Sequence, residues 1–153
     1  MRAPPCVQRR RLLQSAGAVV SLGIAALPAT RAVVVDAAGA FAAKTFAEAM
    51  GALGGVPTPS ALITLECAAL ADNGAAVPIT VTSALPGTRE ILLLVDGNPQ
   101  PVAARFTIPA GTEPFVSTRI RMAGNGTVYA AVRSDDGLYA AARAIEVTVG
   151  GCG

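Results

Sequence analysis

Thiol chemistry is the reactive chemistry on offer in this 153-residue sequence, through Cys6, Cys67 and Cys152, and there is no histidine to support it. Without imidazole there is no Ser-His or Cys-His catalytic pair, no imidazole metal site, and no side chain that titrates near neutrality unperturbed. Cys152 stands apart by its setting, Gly150-Gly151-Cys152-Gly153. Glycine strips away steric bulk and maximises chain freedom, which suits a mobile arm and not an anchored staple. Extended at about 3.3–3.6 Å per residue, the four residues after Val149 span roughly 13–14 Å, so the thiol can stand clear of a folded body. Gly153 sets a terminal carboxylate beside it, and that charge predicts a pKa at or above the ordinary thiol value of about 8.5.

A thiol that is reachable but not self-activated suits a carrier better than a catalyst. The other candidates read as structure. Asp135-Asp136 looks like a carboxylate pair, but it immediately precedes Gly137 and fits turn chemistry. Arg119 and Arg121 fall on one outward strand face, where they can meet an anionic adduct or simply water. Met122 with Cys152 makes a poor soft-metal site, so neither metal nor cofactor is expected.

Charge divides the chain. Five of the 12 basic residues (Arg2, Arg9, Arg10, Arg11 and Arg31) lie in the first 31 positions; the remaining seven face all 10 acidic residues, a net of −3. A mildly acidic body argues against nucleic-acid binding, which needs a basic face. The head combines Arg9-Arg10-Arg11, the apolar run Ser15 to Leu27, and the small-residue exit Pro28-Ala29-Thr30-Arg31-Ala32. These are the parts of an export signal, and the apolar run is too short to span a bilayer. Arg9-Arg10 followed by Leu12-Leu13 resembles a twin-arginine signal, a route for proteins that are already folded. Cleavage after Ala32 would remove Cys6 and deliver a periplasmic or secreted protein carrying Cys67 and Cys152. In that oxidising compartment a Cys67–Cys152 or intersubunit disulfide is the structural alternative to a free arm. Cys67, near the end of an early strand, reads as a small buried apolar residue.

The elements that must position the arm follow from periodicity and punctuation. Residues 36–53 are Ala-rich, with Asp36 as N-cap and Phe46, Met50 and Leu53 on one face; they predict a single amphipathic helix, an appendage stopped by Gly54-Gly55 and Pro57. Beyond Pro59, seven β-like runs (61–67, 76–84, 90–96, 101–108, 115–123, 127–134 and 138–149) alternate with turn signals, among them Asp72-Asn73-Gly74, Asp96-Gly97-Asn98-Pro99 and Gly124-Asn125-Gly126. Val116, Thr118, Ile120 and Met122 alternate with Ser117, Arg119 and Arg121, and Ile145, Val147 and Val149 with Glu146 and Thr148, so each of these strands has one buried face. Asn125-Gly126 and Asp136-Gly137 predict tight hairpins joining the last three strands into a meander. The expected fold is all-β, an immunoglobulin-like antiparallel β-sandwich with a short N-terminal helix and a flexible C-terminal arm. The expected organisation is 1–32 export signal, 33–59 helix and linker, 60–149 sandwich and 150–153 arm.

With these residues in view, Gly-Gly-Cys-Gly preceded by Val147-Thr148-Val149 resembles the carboxy-terminal arm of SoxY, the sulfur-carrying subunit of the periplasmic thiosulfate-oxidising Sox system. The resemblance extends through Asp72-Asn73-Gly74 with Val77-Pro78-Ile79, Asp96-Gly97-Asn98-Pro99, Val116-Ser117-Thr118-Arg119-Ile120-Arg121-Met122 and Asp136-Gly137-Leu138-Tyr139. It differs in having one glycine after the cysteine where the family usually has two. The resemblance implies a non-enzymatic carrier with Cys152 as the covalent sulfur attachment site. Gly150, Gly151 and Gly153 would form the slender arm that enters partner active sites. It further implies a heterodimer with a SoxZ-like β-sandwich subunit, and transient visits to a haem-containing Sox enzyme, a sulfate-releasing hydrolase and a sulfur dehydrogenase.

Overall fold

The computed structural model describes residues 37–148. The proposed export signal with Arg9 and Arg10, the Asp36 cap, and the arm residues Gly150, Gly151, Cys152 and Gly153 lie outside the described residues.

Ala-rich sequence forms helix, but in two pieces, α1 (Ala37–Ala42) and α2 (Phe46–Ala52), where a single helix was expected. Thr45 starts α2 afresh. It is extended at φ −126°, ψ 153°, its hydroxyl accepts the Glu48 N–H at 3.2 Å, and Glu48 Oε2 accepts the N–H groups of Thr45 at 3.3 Å and Lys44 at 2.8 Å. This reciprocal box satisfies amides that a helix start otherwise leaves bare, so breaking the run at 43–45 costs little. Phe46, Met50 and Leu53 do share the inward face, Phe46 partly buried and the other two fully.

Nine strands follow: β1 (Thr58–Pro59), β2 (Ile63–Glu66), β3 (Leu70–Ala71), β4 (Val77–Ser83), β5 (Glu90–Val95), β6 (Val102–Thr107), β7 (Phe115–Ile120), β8 (Gly126–Ser134) and β9 (Gly137–Val147). One sheet runs β1-β9-β8-β5-β6 with β3 also on β9; the other runs β2-β4-β7. They form the expected immunoglobulin-like sandwich. Seven strands match the runs read from sequence, while β1 and β3, two residues each and parallel to β9, are additions.

Alternation builds the core between the sheets. Ile79 and Val81 of β4, Val116 and Ile120 of β7, Ile91, Leu93 and Val95 of β5, Val128 and Val132 of β8, and Ile145 of β9 meet there. β5 is buried at every position, because Leu92 and Leu94 point the other way, into a second core with Met50, Leu53 and Ala131. The helical segment is therefore a third layer rather than an appendage, and each such side chain taken from water contributes about 1.5–3 kcal/mol. Glu90 locks this layer. It is buried between the Arg105 and Arg133 guanidinium groups, and Arg133 Nη2 also donates to the Leu53 carbonyl at 2.8 Å, where α2 ends. A cation at that end complements the helix dipole.

The hairpin predicted at Asp136-Gly137 forms: Ser134 pairs with Gly137 and β8 runs antiparallel to β9. The one predicted at Asn125-Gly126 does not. β7 pairs only with β4, and the chain crosses between the sheets at 121–126 before entering β8. Turn chemistry reverses a chain locally and leaves open which sheet receives the next strand.

Candidate functional site: the loop cluster at the root of the cysteine arm

β9 ends just before the residues expected to form the arm, and that end is held on both sides. Along one edge, the Glu146 N–H donates to the Ala69 carbonyl and the Thr148 N–H to the Ala71 carbonyl, each at 2.9 Å; Thr148 Oγ1 adds a bond to Ala71 O at 3.3 Å. On the other, Val147 N–H donates to Asn125 Oδ1 at 2.8 Å. Asn125 belongs to the crossover, which is itself pinned by Asn98. The Asn98 amide donates to the Arg121 carbonyl at 2.7 Å and accepts the Ala123 N–H at 2.8 Å. Asp96 Oδ1 accepts the Thr127 N–H at 2.7 Å, tying the β5–β6 turn to the start of β8.

The third loop closes from below. Met122 N–H donates to the Gly74 carbonyl at 2.7 Å, and Asn73 Oδ1 accepts the Ala75 N–H at 2.8 Å in a local side-chain turn. Gly74 is required by close approach: a Cβ there would lie 2.6 Å from the Met122 carbonyl oxygen and 2.8 Å from Val147 Cγ1. Loops 72–75, 96–99 and 121–126 thus converge on the last turn of the chain before residue 149. Rigid elements place a site better than loops do, and here side-chain amides turn three loops into one rigid platform.

Two clefts open on this platform. One, of about 430 Å³, is bounded by Asp72, Gly74, Arg121, Met122, Val147 and Thr148. The other, of about 580 Å³, is bounded by Lys44, Asn98, Gln100, Val102, Arg121 and Ala123. Arg121 belongs to both.

Met122 is buried in the core, which removes it as a ligand beside the arm. Arg119 of β7 and Arg121, one residue past its end, are both exposed, as alternation required. Asp135 pairs with Arg89 and Asp136 N–H donates to Ser134 Oγ at 3.3 Å, so the acidic pair builds the β8–β9 turn at the opposite end of β9 from the arm. Cys67 is half-buried against the sandwich core; burial pushes its thiol above the ordinary value, and the charge of Arg143 offsets this in part. It is a packing residue. Sequence reasoning read Asn98, Asn125 and Gly74 as turn residues and missed their role as cross-loop anchors.

Residues 47–152 match the family model for the sulfur oxidation protein SoxY, a span that covers the whole sandwich and ends on Cys152. The chain belongs to the SoxY family. The SoxY match starts inside α2, so α1 is outside the matched span. A similar solved structure is that of the sulfur carrier protein SoxY from Chlorobium limicola f thiosulfatophilum, at 34% identity and a TM-score of 0.56, covering 63% of this chain and 88% of that one. A superoxide reductase (neelaredoxin) from Ignicoccus hospitalis is similar at 21% identity and a TM-score of 0.50, covering 56% of this chain and 80% of that one. That second likeness concerns the SoxY sandwich as a fold and nothing more. No curated protein matches the chain.

Proposed function

We propose that the chain is a periplasmic, non-enzymatic sulfur carrier that holds thiosulfate-derived intermediates covalently on Cys152. The observation that carries this reading is the family match, which runs through the sandwich to Cys152. The pinned root supports it: a slender tether works best from a fixed origin, because only the tether then has to search.

The chemistry balances with partners supplying every activating group. The Cys152 thiolate and thiosulfate join through a new S–S bond, giving two electrons to a haem-containing Sox enzyme. A hydrolase then adds water across the S–SO₃ bond, releasing sulfate and leaving a persulfide, whose outer sulfur a sulfur dehydrogenase oxidises. The carrier contributes reach and exposure through Gly150, Gly151 and Gly153. A SoxZ-like β-sandwich subunit completes the heterodimer, and the twin-arginine route through Arg9 and Arg10 exports the pair folded.

Intact mass and peptide mapping after incubation with thiosulfate and the oxidising enzyme test the assignment. A thiosulfate-derived adduct mapped to Cys152 and lost in Cys152→Ser is expected. If Cys152 carries only a protein disulfide, the chain is an exported immunoglobulin-like assembly module and the carrier reading fails.

A further inference from the structure

Cations in an acidic domain are informative where no carboxylate answers them. Among the described residues Arg89 pairs with Asp135, and Arg105 and Arg133 share Glu90; Arg119 and Arg143 pair with none, nor do Lys44 and Arg121. Yet Lys44 and Arg121 line one cleft together with the neutral amides of Asn98 and Gln100, and no acidic residue is among its described walls. Both are presented from fixed backbone. Asn98 bonds the carbonyl of Arg121 and the amide of Ala123, while the Lys44 N–H is held by Glu48, whose carboxylate Oε2 is turned to the Lys44 and Thr45 amides. Among the described residues, Asp72 lines the adjoining cleft with Arg121 and Thr148. Backbone held in place beforehand lowers the entropy cost of closing two cations on a ligand.

We infer that the Lys44–Arg121 cleft binds a sulfur oxyanion of the sulfonate or thiosulfate type, a subsite at which the carrier's own charged cargo docks on the domain between enzyme visits. This rests on the carrier reading for the identity of the anion. From Thr148, which shares a cleft wall with Arg121, residues 149–152 extend up to about 13–14 Å, enough to bring a group on Cys152 back to the guanidinium. Arg supplies a planar fork of donors suited to two oxygens of one anion, and Lys44 adds a point charge.

The test uses the full chain with Cys6→Ser and Cys67→Ser, leaving Cys152 as the single thiol. Tetrathionate converts it: the thiolate attacks an inner sulfur, forming the adduct Cys152–S–S–SO₃⁻ and expelling thiosulfate, with the thiol proton going to solvent. Iodoacetamide gives a neutral adduct of similar size. The expected result is that the charged adduct shifts the side-chain NMR signals of Arg121, Asn98 and Lys44, that the neutral adduct does not, and that Arg121→Gln abolishes the response. Thiosulfate titrated into Cys152→Ser reads the free anion as the source, with Arg121→Gln weakening binding about fivefold. A response to free thiosulfate without one to the charged adduct leaves an anion site but overturns the docking of the carrier's own cargo. No response to either overturns the inference, and does so without touching the carrier reading, which stands or falls on enzymatic loading of Cys152.

Discussion

Asn98 offers the sharpest test of the platform, because its two bonds can be removed together or one at a time. Asn98→Ala deletes the donor to Arg121 O at 2.7 Å and the acceptor for Ala123 N–H at 2.8 Å. At about 0.5–1.5 kcal/mol net for each, the expected loss is about 1–3 kcal/mol. A domain of this size loses about 4 °C of Tm per kcal/mol, so a fall of about 4–12 °C follows. Asn98→Asp keeps the acceptor, loses the donor, and sets a carboxylate against the Arg121 carbonyl, so the Arg121 bond is lost while the Ala123 bond survives. Urea unfolding gives the global values, and amide exchange gives the local ones. Ala123 should lose protection in the Ala variant and keep it in the Asp variant, and Val147 should follow Ala123, since Asn125 transmits the crossover's position to β9. If Asn98→Ala costs under about 0.5 kcal/mol, or if Val147 keeps its protection while Ala123 loses it, the loops are not one platform.

Gly74→Ala should push the 72–75 loop off Met122 and Val147, lowering Tm by several degrees and perturbing Val147 and Thr148 amides before those of the β8–β9 turn; unchanged amides at the arm root would contradict the close packing. Glu90→Gln leaves Arg105 and Arg133 facing a neutral group in a largely buried setting and should cost about 3 kcal/mol by chemical denaturation, against little for Arg89→Gln in the exposed pair with Asp135. For Cys67, burial favours the neutral thiol. Its alkylation in a Cys152→Ser background should therefore rise at higher pH in the native protein than in urea, and the stability it lends should be lost as pH climbs through the native pKa; a native profile at or below the unfolded one would refute this.

The strands were readable because alternation and turn residues act within a few positions of one another. Glu90 to Val95 is the instructive case: its unbroken apolar run marked a strand, but the reason for the run, a helical layer on the second face, lies some 40 residues earlier in the chain. Thr45-Phe46-Ala47-Glu48 carried a capping signal, obscured by the alanines around it. β1 and β3 are too short to leave any period. The arm expected from glycine and cysteine chemistry lies outside the described residues, and the platform at the end of β9 was not legible. Asn98 and Asn125 look like ordinary turn residues until loops 22 to 25 positions apart meet at their amides.

β9 lies near the edge of its sheet, and the two shortest strands sit against its outer side, β1 at Tyr139 and Ala140 and β3 at Glu146 and Val147. They leave residues 141–145 between them, a poor template for a foreign strand. Edge protection of this kind separates two risks that a presented thiol would otherwise combine. Molecules can approach the tip of such a strand without being able to zip along it, so crowding many copies together favours encounters at the arm over polymerisation through the sheet.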